Sequence, residues 1–288
     1  MRMSPRVLKG AVGLVASRAF HGIIDSPLPG RTAKPRKRGQ TMVIDKGLGL
    51  SETGDLMELA GEFIDFVKLA FGTAALYGPE LLRAKVALIS SYGIDVYPGG
   101  TFLEVAMVQD RLEPFLQRAK DLGFTCIEVS DGTIEMSQRE RSEAIRRALT
   151  LGFQVITEVG KKDDDSELDP QAALDQIHAD LADGASEVIV EGRESGKGVG
   201  IYDAQGRIKT GSLEEIREGV AHPDLLVWET PLKVQQQELI LRFGPNVNLG
   251  NIAPQEVLAL EALRRGLRGD TLRAALAHQA EPIARGGR

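Results

Sequence analysis

Apolar and β-branched residues gather in eight short runs along this chain, and each run stops at charged or amide residues. The runs fall at 41–46, 64–69, 94–97, 124–129, 153–158, 187–190, 225–229 and 246–249. They are mostly apolar rather than strictly alternating, as parallel strands covered by helices are. Between them, 56–60, 79–91, 112–122, 138–151, 172–182, 213–220 and 234–243 carry apolar residues at helical spacing. A last helix is predicted over 254–265. Ser137 ahead of Gln138-Arg139-Glu140 predicts an N-cap with an acid in the first turn, and Pro254 suits a first turn. Eight such units close most economically into a single-domain (β/α)8 TIM barrel. The alternative, an open doubly wound sheet, calls for a glycine-rich dinucleotide turn after the first strand. Asp45-Lys46-Gly47-Leu48-Gly49 has two glycines and lacks the third.

A barrel brings the carboxyl ends of its strands to one face. Here those ends carry Asp45 and Lys46, then Asp65 and Lys68, then Pro98-Gly99-Gly100-Thr101 with Glu104 beyond. The later strands bring Glu128, Ser130 and Asp131, then Glu158, Lys161 and Lys162, then Glu191, Arg193 and Glu194. Glu229 ends the seventh run, and Asn246, Asn248 and Asn251 mark the eighth. A single charge after a strand is ordinarily a solvated loop residue. Eight polar ends above apolar interiors call for more, because charges are seldom buried unless paired or functional. Converging carboxylates suit a hard divalent ion such as Mg2+. Converging lysine and arginine suit an anionic, phosphorylated small acid. A lysine among them could exchange a proton at carbon. Gly192-Arg193-Glu194-Ser195-Gly196-Lys197-Gly198 mimics a phosphate loop, but its spacing and the glycine after the lysine exclude one.

Charge divides the chain. Residues 1–38 hold nine Lys or Arg and one Asp, a net of +8, within a total of −6. The acidic remainder argues against nucleic acid as a partner. Residues 1–38 read as a flexible, disordered or loosely docked basic extension rather than a transit peptide, and 34–38 as a solvated basic linker rather than a polyanion patch. The barrel is expected over 39–275 and a tail over 276–288. The one cysteine, Cys126, lies in a strand-like run and is expected as a buried, inert thiol in a reducing compartment. Four scattered histidines make histidine catalysis or zinc a poor fit. No apolar run approaches a membrane span.

The strand-end motifs together resemble the phosphosulfolactate synthase family. The matching segments are VIDKGL (43–48), FIDFVKLAFGT (63–73), VYPGGT (96–101), IEVSDGTI (127–134), TEVGKK (157–162), VEGRESGKG (190–198), NVNLGNI (246–252) and LRRGLRGDT (263–271). The resemblance implies a cytoplasmic (β/α)8 carbon–sulfur lyase that adds sulfite to phosphoenolpyruvate with Mg2+, giving (2R)-phospho-3-sulfolactate. Such a product leads to coenzyme M or to sulfolactate. It implies Lys162, the second lysine of the GKK run, as the acid, with Lys161 beside it as a second candidate catalytic residue. Position within this pattern makes Glu158 and Glu191 the expected metal ligands, with Asp45 and Glu128 behind them. Lys46, Lys68, Arg193, Ser130 and the stretch Asn248–Asn251 are the expected substrate contacts. Trp228-Glu229-Thr230-Pro231 departs from the family's usual Phe-Glu-Ala-Pro while keeping the acid. Two other readings stay open: enolate chemistry with another nucleophile, and a non-catalytic relative of the kind associated with plant heat stress. A homo-oligomer is plausible.

Overall fold

The computed structural model describes residues 18–161 and 168–280. Its apolar runs pair in parallel as β1 (Thr41–Asp45), β2 (Phe66–Leu69), β3 (Asp95–Tyr97), β4 (Cys126–Val129), β5 (Gln154–Val159), β6 (Glu187–Val190), β7 (Leu226–Glu229) and β8 (Asn248–Ile252). The strand order is β3-β2-β1-β8-β7-β6-β5-β4, with neighbouring strands paired in parallel. The ends of this order meet where the Thr125 amide donates to the Val96 carbonyl at 3.2 Å, and Thr125 Oγ1 accepts from the Val96 amide at 3.0 Å. The result is a nearly closed barrel. Around it lie α1 (Leu50–Ala60), α2 (Pro79–Ser90), α3 (Gly100–Val108), α4 (Leu112–Leu122), α5 (Gln138–Thr150), α6 (Pro170–Asp183), α7 (Thr210–Gly219), α8 (Lys233–Phe243), α9 (Val257–Arg264) and α10 (Gly269–Ala280). No described helix is long and apolar enough to cross a membrane.

Alternation along the strands sorts the side chains into two cores. Met42, Phe66, Tyr97, Cys126, Ile156, Ile189 and Val227, one from each of seven strands, fill the barrel interior. Val43, Val67, Val96, Ile127, Val155, Val188 and Trp228 join the larger core shared with the helices. Ser137 caps α5 as expected, accepting from the Glu140 amide while Glu140 accepts from the Ser137 amide at 2.8 Å. Cys126 is buried, and burial pushes its thiol well above the ordinary value.

Three elements differ from the sequence reading. The third unit holds two helices, because α3 starts directly at Gly100, where the Gly-Gly-Thr opening offers no side-chain cap to read. β8 begins at Asn248 and runs through Ile252; Asn-Leu-Gly-Asn-Ile has little intrinsic strand preference, and hydrogen bonding to both β1 and β7 overrides it. α10 (Gly269–Ala280) is a further helix after the last one expected at 254–265.

The basic stretch 31–38 lies against the amino ends of the strands. Arg31 pairs with Glu261 at 3.0 Å and Arg36 with Asp65 at 3.0 Å, all four side chains buried. Lys34 Nζ donates to the carbonyls of Ile64, Gly61 and Tyr92 at 2.6, 3.3 and 3.1 Å. Lys37 and Arg38 face solvent, but Lys34 and Arg36 are held by these contacts, so 34–38 is not the solvated linker expected from its composition.

Candidate active site

Two residues beyond the interior apolar layer, towards the carboxyl ends, the same inward alternation places Glu128, Glu158, Glu191 and Glu229 on β4 to β7 or directly after them. All four are 1% exposed. Lys68 reaches them from β2: its Nζ stands 3.0 Å from Glu128 Oε2, 3.2 Å from Glu158 Oε2 and 3.3 Å from Glu229 Oε1. Burial pushes the Lys68 ammonium down, and the three carboxylates outweigh it, holding its pKa well above the ordinary lysine value. Lysine charge here is therefore fixed.

Backbone amides anchor the other faces of the carboxylates. The Gly100 amide donates to Glu128 Oε1 at 2.7 Å, the Gly192 amide to Glu229 Oε2 at 3.0 Å and the Arg193 amide to Glu191 Oε1 at 2.6 Å. Such contacts, made without side-chain entropy, keep the carboxylates in one arrangement. Glu158, Glu191 and Glu229 each offer an oxygen, and the three oxygens lie within 4.8 Å of one another. Hard oxygen donors, buried and close together, fit a small divalent cation such as Mg2+.

Above this layer opens a cavity of about 400 Å3, lined among others by Ile44, Lys68, Phe71, Arg193, Glu194 and Asn251. Its size suits a small acid. Four described non-glycine residues have positive φ, and three of them line it: Phe71 at 57°, Arg193 at 55° and Asn251 at 56°. Non-glycine residues in this region of φ/ψ concentrate at functional sites. Asn251 Nδ2 donates to the Arg193 carbonyl at 3.3 Å, tying the loops after β6 and β8 together. Lys46 sits at the rim, paired with Glu194 at 2.7 Å, both half exposed.

The expected site residues divide by position. Lys68, Glu128, Glu158 and Glu191 meet in the carboxylate layer, and Arg193 and Asn251 line the cavity above it. Asp45 lies apart from them. Ile44 takes the inward position on β1, so Asp45 faces outward, paired with Lys85 of α2 at 2.6 Å and accepting the Gly47 and Leu48 amides. Asn248 starts β8 at the opposite end of the barrel, where its side chain bonds the Asp224 and Leu226 carbonyls and accepts from the Gln40 amide. Ser130 is buried beside the layer, donating to Glu104 Oε1 at 2.6 Å; Glu104 Oε2 accepts the Thr133 amide. Lys161 reaches sideways to the loop after β4. Lys162 lies outside the described residues.

Glu229 belongs to the three-oxygen group, whereas the sequence reading saw it only as a strand-end acid. A signal for it exists in the sequence. Cys126-x-Glu128, Ile156-x-Glu158, Ile189-x-Glu191 and Val227-x-Glu229 repeat one spacing in four successive strands, which puts all four acids on one level. Phe71 was also missed; its place on the cavity wall is set by loop conformation.

Residues 29–270 match the family described as (2R)-phospho-3-sulfolactate synthase (ComA). The chain is 44% identical over 246 residues to the phosphosulfolactate synthase of Methanothermobacter thermautotrophicus, covering 85% of this chain and 95% of that protein. It is 45% identical to that of Methanocaldococcus jannaschii over 237 residues, covering 82% and 94%, and 37% identical to that of Bacillus subtilis over 246, covering 85% and 96%. Among solved structures, a dihydrodipicolinate synthase from Agrobacterium tumefaciens superposes with a TM-score of 0.53 at 9% identity, covering 86% of this chain and 80% of that one. A type I 3-dehydroquinate dehydratase from Clostridium difficile gives 0.51 at 11%, covering 83% and 99%. These two likenesses concern the fold alone.

Proposed function

The chain belongs to the (2R)-phospho-3-sulfolactate synthase family, and from that premise we propose that it joins sulfite to C3 of phosphoenolpyruvate in the cytoplasm with the help of Mg2+. The observation that carries this reading is a 44% match over 95% of a relative bearing that activity's name. The buried acids and lysine supply its chemistry. The sulfur lone pair of sulfite forms the C–S bond at C3, and the C2–C3 π electrons move toward the substrate carboxylate. A proton delivered to C2 then completes (2R)-phospho-3-sulfolactate.

Each residue has a task in this scheme. Glu158, Glu191 and Glu229 would hold Mg2+, with Glu128 beside them. When bound there, the ion stabilises negative charge developing on the substrate carboxylate. Lys68 offsets the repulsion among the glutamates. The Arg193 guanidinium and the Asn251 amide, on the cavity wall, suit the phosphate and sulfonate oxygens, and Lys46 at the rim suits anion entry. Lys162, from the family resemblance, is the proton donor at C2.

The test is direct. Purified protein given phosphoenolpyruvate, sulfite and Mg2+ should consume sulfite and form phosphosulfolactate, EDTA should stop the reaction, and Lys162→Ala should abolish it. A folded wild type inert with sulfite but active with another nucleophile would replace this substrate assignment. One inert with every nucleophile would make the chain a non-catalytic member.

A further inference from the structure

Arg141 is a fully buried arginine, 1% exposed, near the amino end of α5. Its guanidinium spans three elements. Nε and Nη2 form a fork on Asp180 of α6 at 2.8 and 2.7 Å. Nη1 donates to Asp131 Oδ1, in the loop after β4, at 2.9 Å. Nη2 also donates to the main-chain carbonyl of Glu158 at 2.9 Å. The last contact falls on the residue whose carboxylate belongs to the three-oxygen group.

Asp131 passes the connection outward. Its Oδ2 pairs with Lys161 Nζ at 3.2 Å, and Nζ also donates to the carbonyls of Asp131 and Ile134 at 2.9 and 3.0 Å. Asp180, Arg141, Asp131 and Lys161 thus form one chain of charges that grips β5 at Glu158 and again just past its end. Between the grips lies Gly160, at φ 120°, where a Cβ would stand 2.7 Å from the Glu191 Cβ. The strand end is therefore fitted closely against a second carboxylate-bearing residue.

Helix packing alone does not account for this arrangement. α5 and α6 have a separate polar contact nearer the surface, where Arg146 pairs with Asp183 at 3.0 Å and Ser142 also bonds Asp183. Arg141 directs its remaining donors towards the site loops instead.

Resting on the reading above, we propose that Arg141 is a positioning residue which sets the Glu158 carboxylate through the strand's own backbone, and that Lys161 is the outer member of the same clasp. Buried partners that orient a metal ligand typically matter by about ten- to a hundredfold in affinity or activity. An arginine fork is required, because a lysine at 141 could not bridge three acceptor groups in one plane.

The test compares Asp131→Asn, Lys161→Met, Lys161→Arg, their Asp131→Asn doubles, Arg141→Lys and the control Arg146→Met. We expect Asp131→Asn and Lys161→Met each to lower kcat by about ten- to a hundredfold with KM nearly unchanged. Their double should be no worse than the poorer single, and Lys161→Arg should recover most of the loss. Arg146→Met should keep wild-type kcat. Lys161→Arg as inactive as Lys161→Met, with Asp131→Asn near wild type, would overturn the proposal by putting Lys161 on the substrate. So would wild-type kcat in Asp131→Asn, Lys161→Met and Arg141→Lys alike. Amide hydrogen exchange at residues 158–161 is read in parallel: faster exchange in Asp131→Asn and Arg141→Lys supports the clasp, and unchanged exchange sinks it. This arm stands even if the wild type proves inert with phosphoenolpyruvate and sulfite, so failure of the activity and failure of the clasp remain distinct.

Discussion

Lys68 holds one positive charge among three carboxylates within 3.3 Å, with only 10% of its side chain exposed. Removing one partner from a buried ionic cluster leaves uncompensated charge, which costs about 3–5 kcal/mol. Lys68→Met should lose stability of that order in urea denaturation. The pH dependence follows from its raised pKa: such a group's contribution is complete below the unfolded lysine value and fades only as pH climbs through the higher folded one. The gap between wild type and Lys68→Met should therefore be the same at pH 7 and pH 9; a gap that closes by pH 9 would contradict the fixed charge. The acids are not equivalent either. Glu229 lies in the three-oxygen group and Glu128 does not. Glu229→Gln should weaken Mg2+ binding in calorimetry by about tenfold or more, with Glu128→Gln well below that. Equal losses would remove the basis for the three-ligand assignment.

Among the elements, α3 shows how closely a helix start can be fitted to chemistry. Gly100 opens it, and its amide holds Glu128. A Cβ there would stand 2.3 Å from Ser130 Oγ and 2.4 Å from Glu128 Oε1. Overpacking of this kind costs about 1–3 kcal/mol, and here the displaced atoms belong to the site, so Gly100→Ala should lower both the melting temperature and kcat. Gly54, inside α1, is the opposite case: the nearest atom to a Cβ is Leu88 Cδ2 at 4.0 Å. Gly54→Ala should stabilise the protein by about 0.5–1 kcal/mol, because alanine gives up less backbone entropy in a helix, and leave kcat alone. A destabilised Gly54→Ala would show that the α1–α2 contact has no room for a methyl group.

For the molecule as a whole, the two ends of the barrel carry separate duties. The basic stretch 31–38 secures the amino end, where Arg36 and Asp65 are buried together, and the carboxylate layer faces the other. Arg36→Met should cost about 3–5 kcal/mol by stranding Asp65, while kcat measured well below the melting temperature stays at the wild-type value. A matching fall in kcat would mean that the ends are coupled. The (β/α)8 fold could be read directly in the chain, since eight apolar runs alternating with helical segments already specify parallel strands wrapped by helices. So could the polar strand ends, including Lys68, Glu128, Glu158 and Glu191. The chain by itself determined that Lys68 and the glutamates of β4 to β7 arrive at the carboxyl end of the barrel, because side-chain alternation and apolar periodicity are local properties; Asp65 and Asn248, read with them, fall at the amino end because each strand starts later than the apolar run suggests. Only the tertiary structure decided which of them face one another. Asp45 pairs outward with Lys85, Asn248 falls at the far end and Arg141 reaches Glu158 from a helix. Those outcomes depend on register across the sheet and on contacts between residues far apart in sequence, which no local pattern encodes.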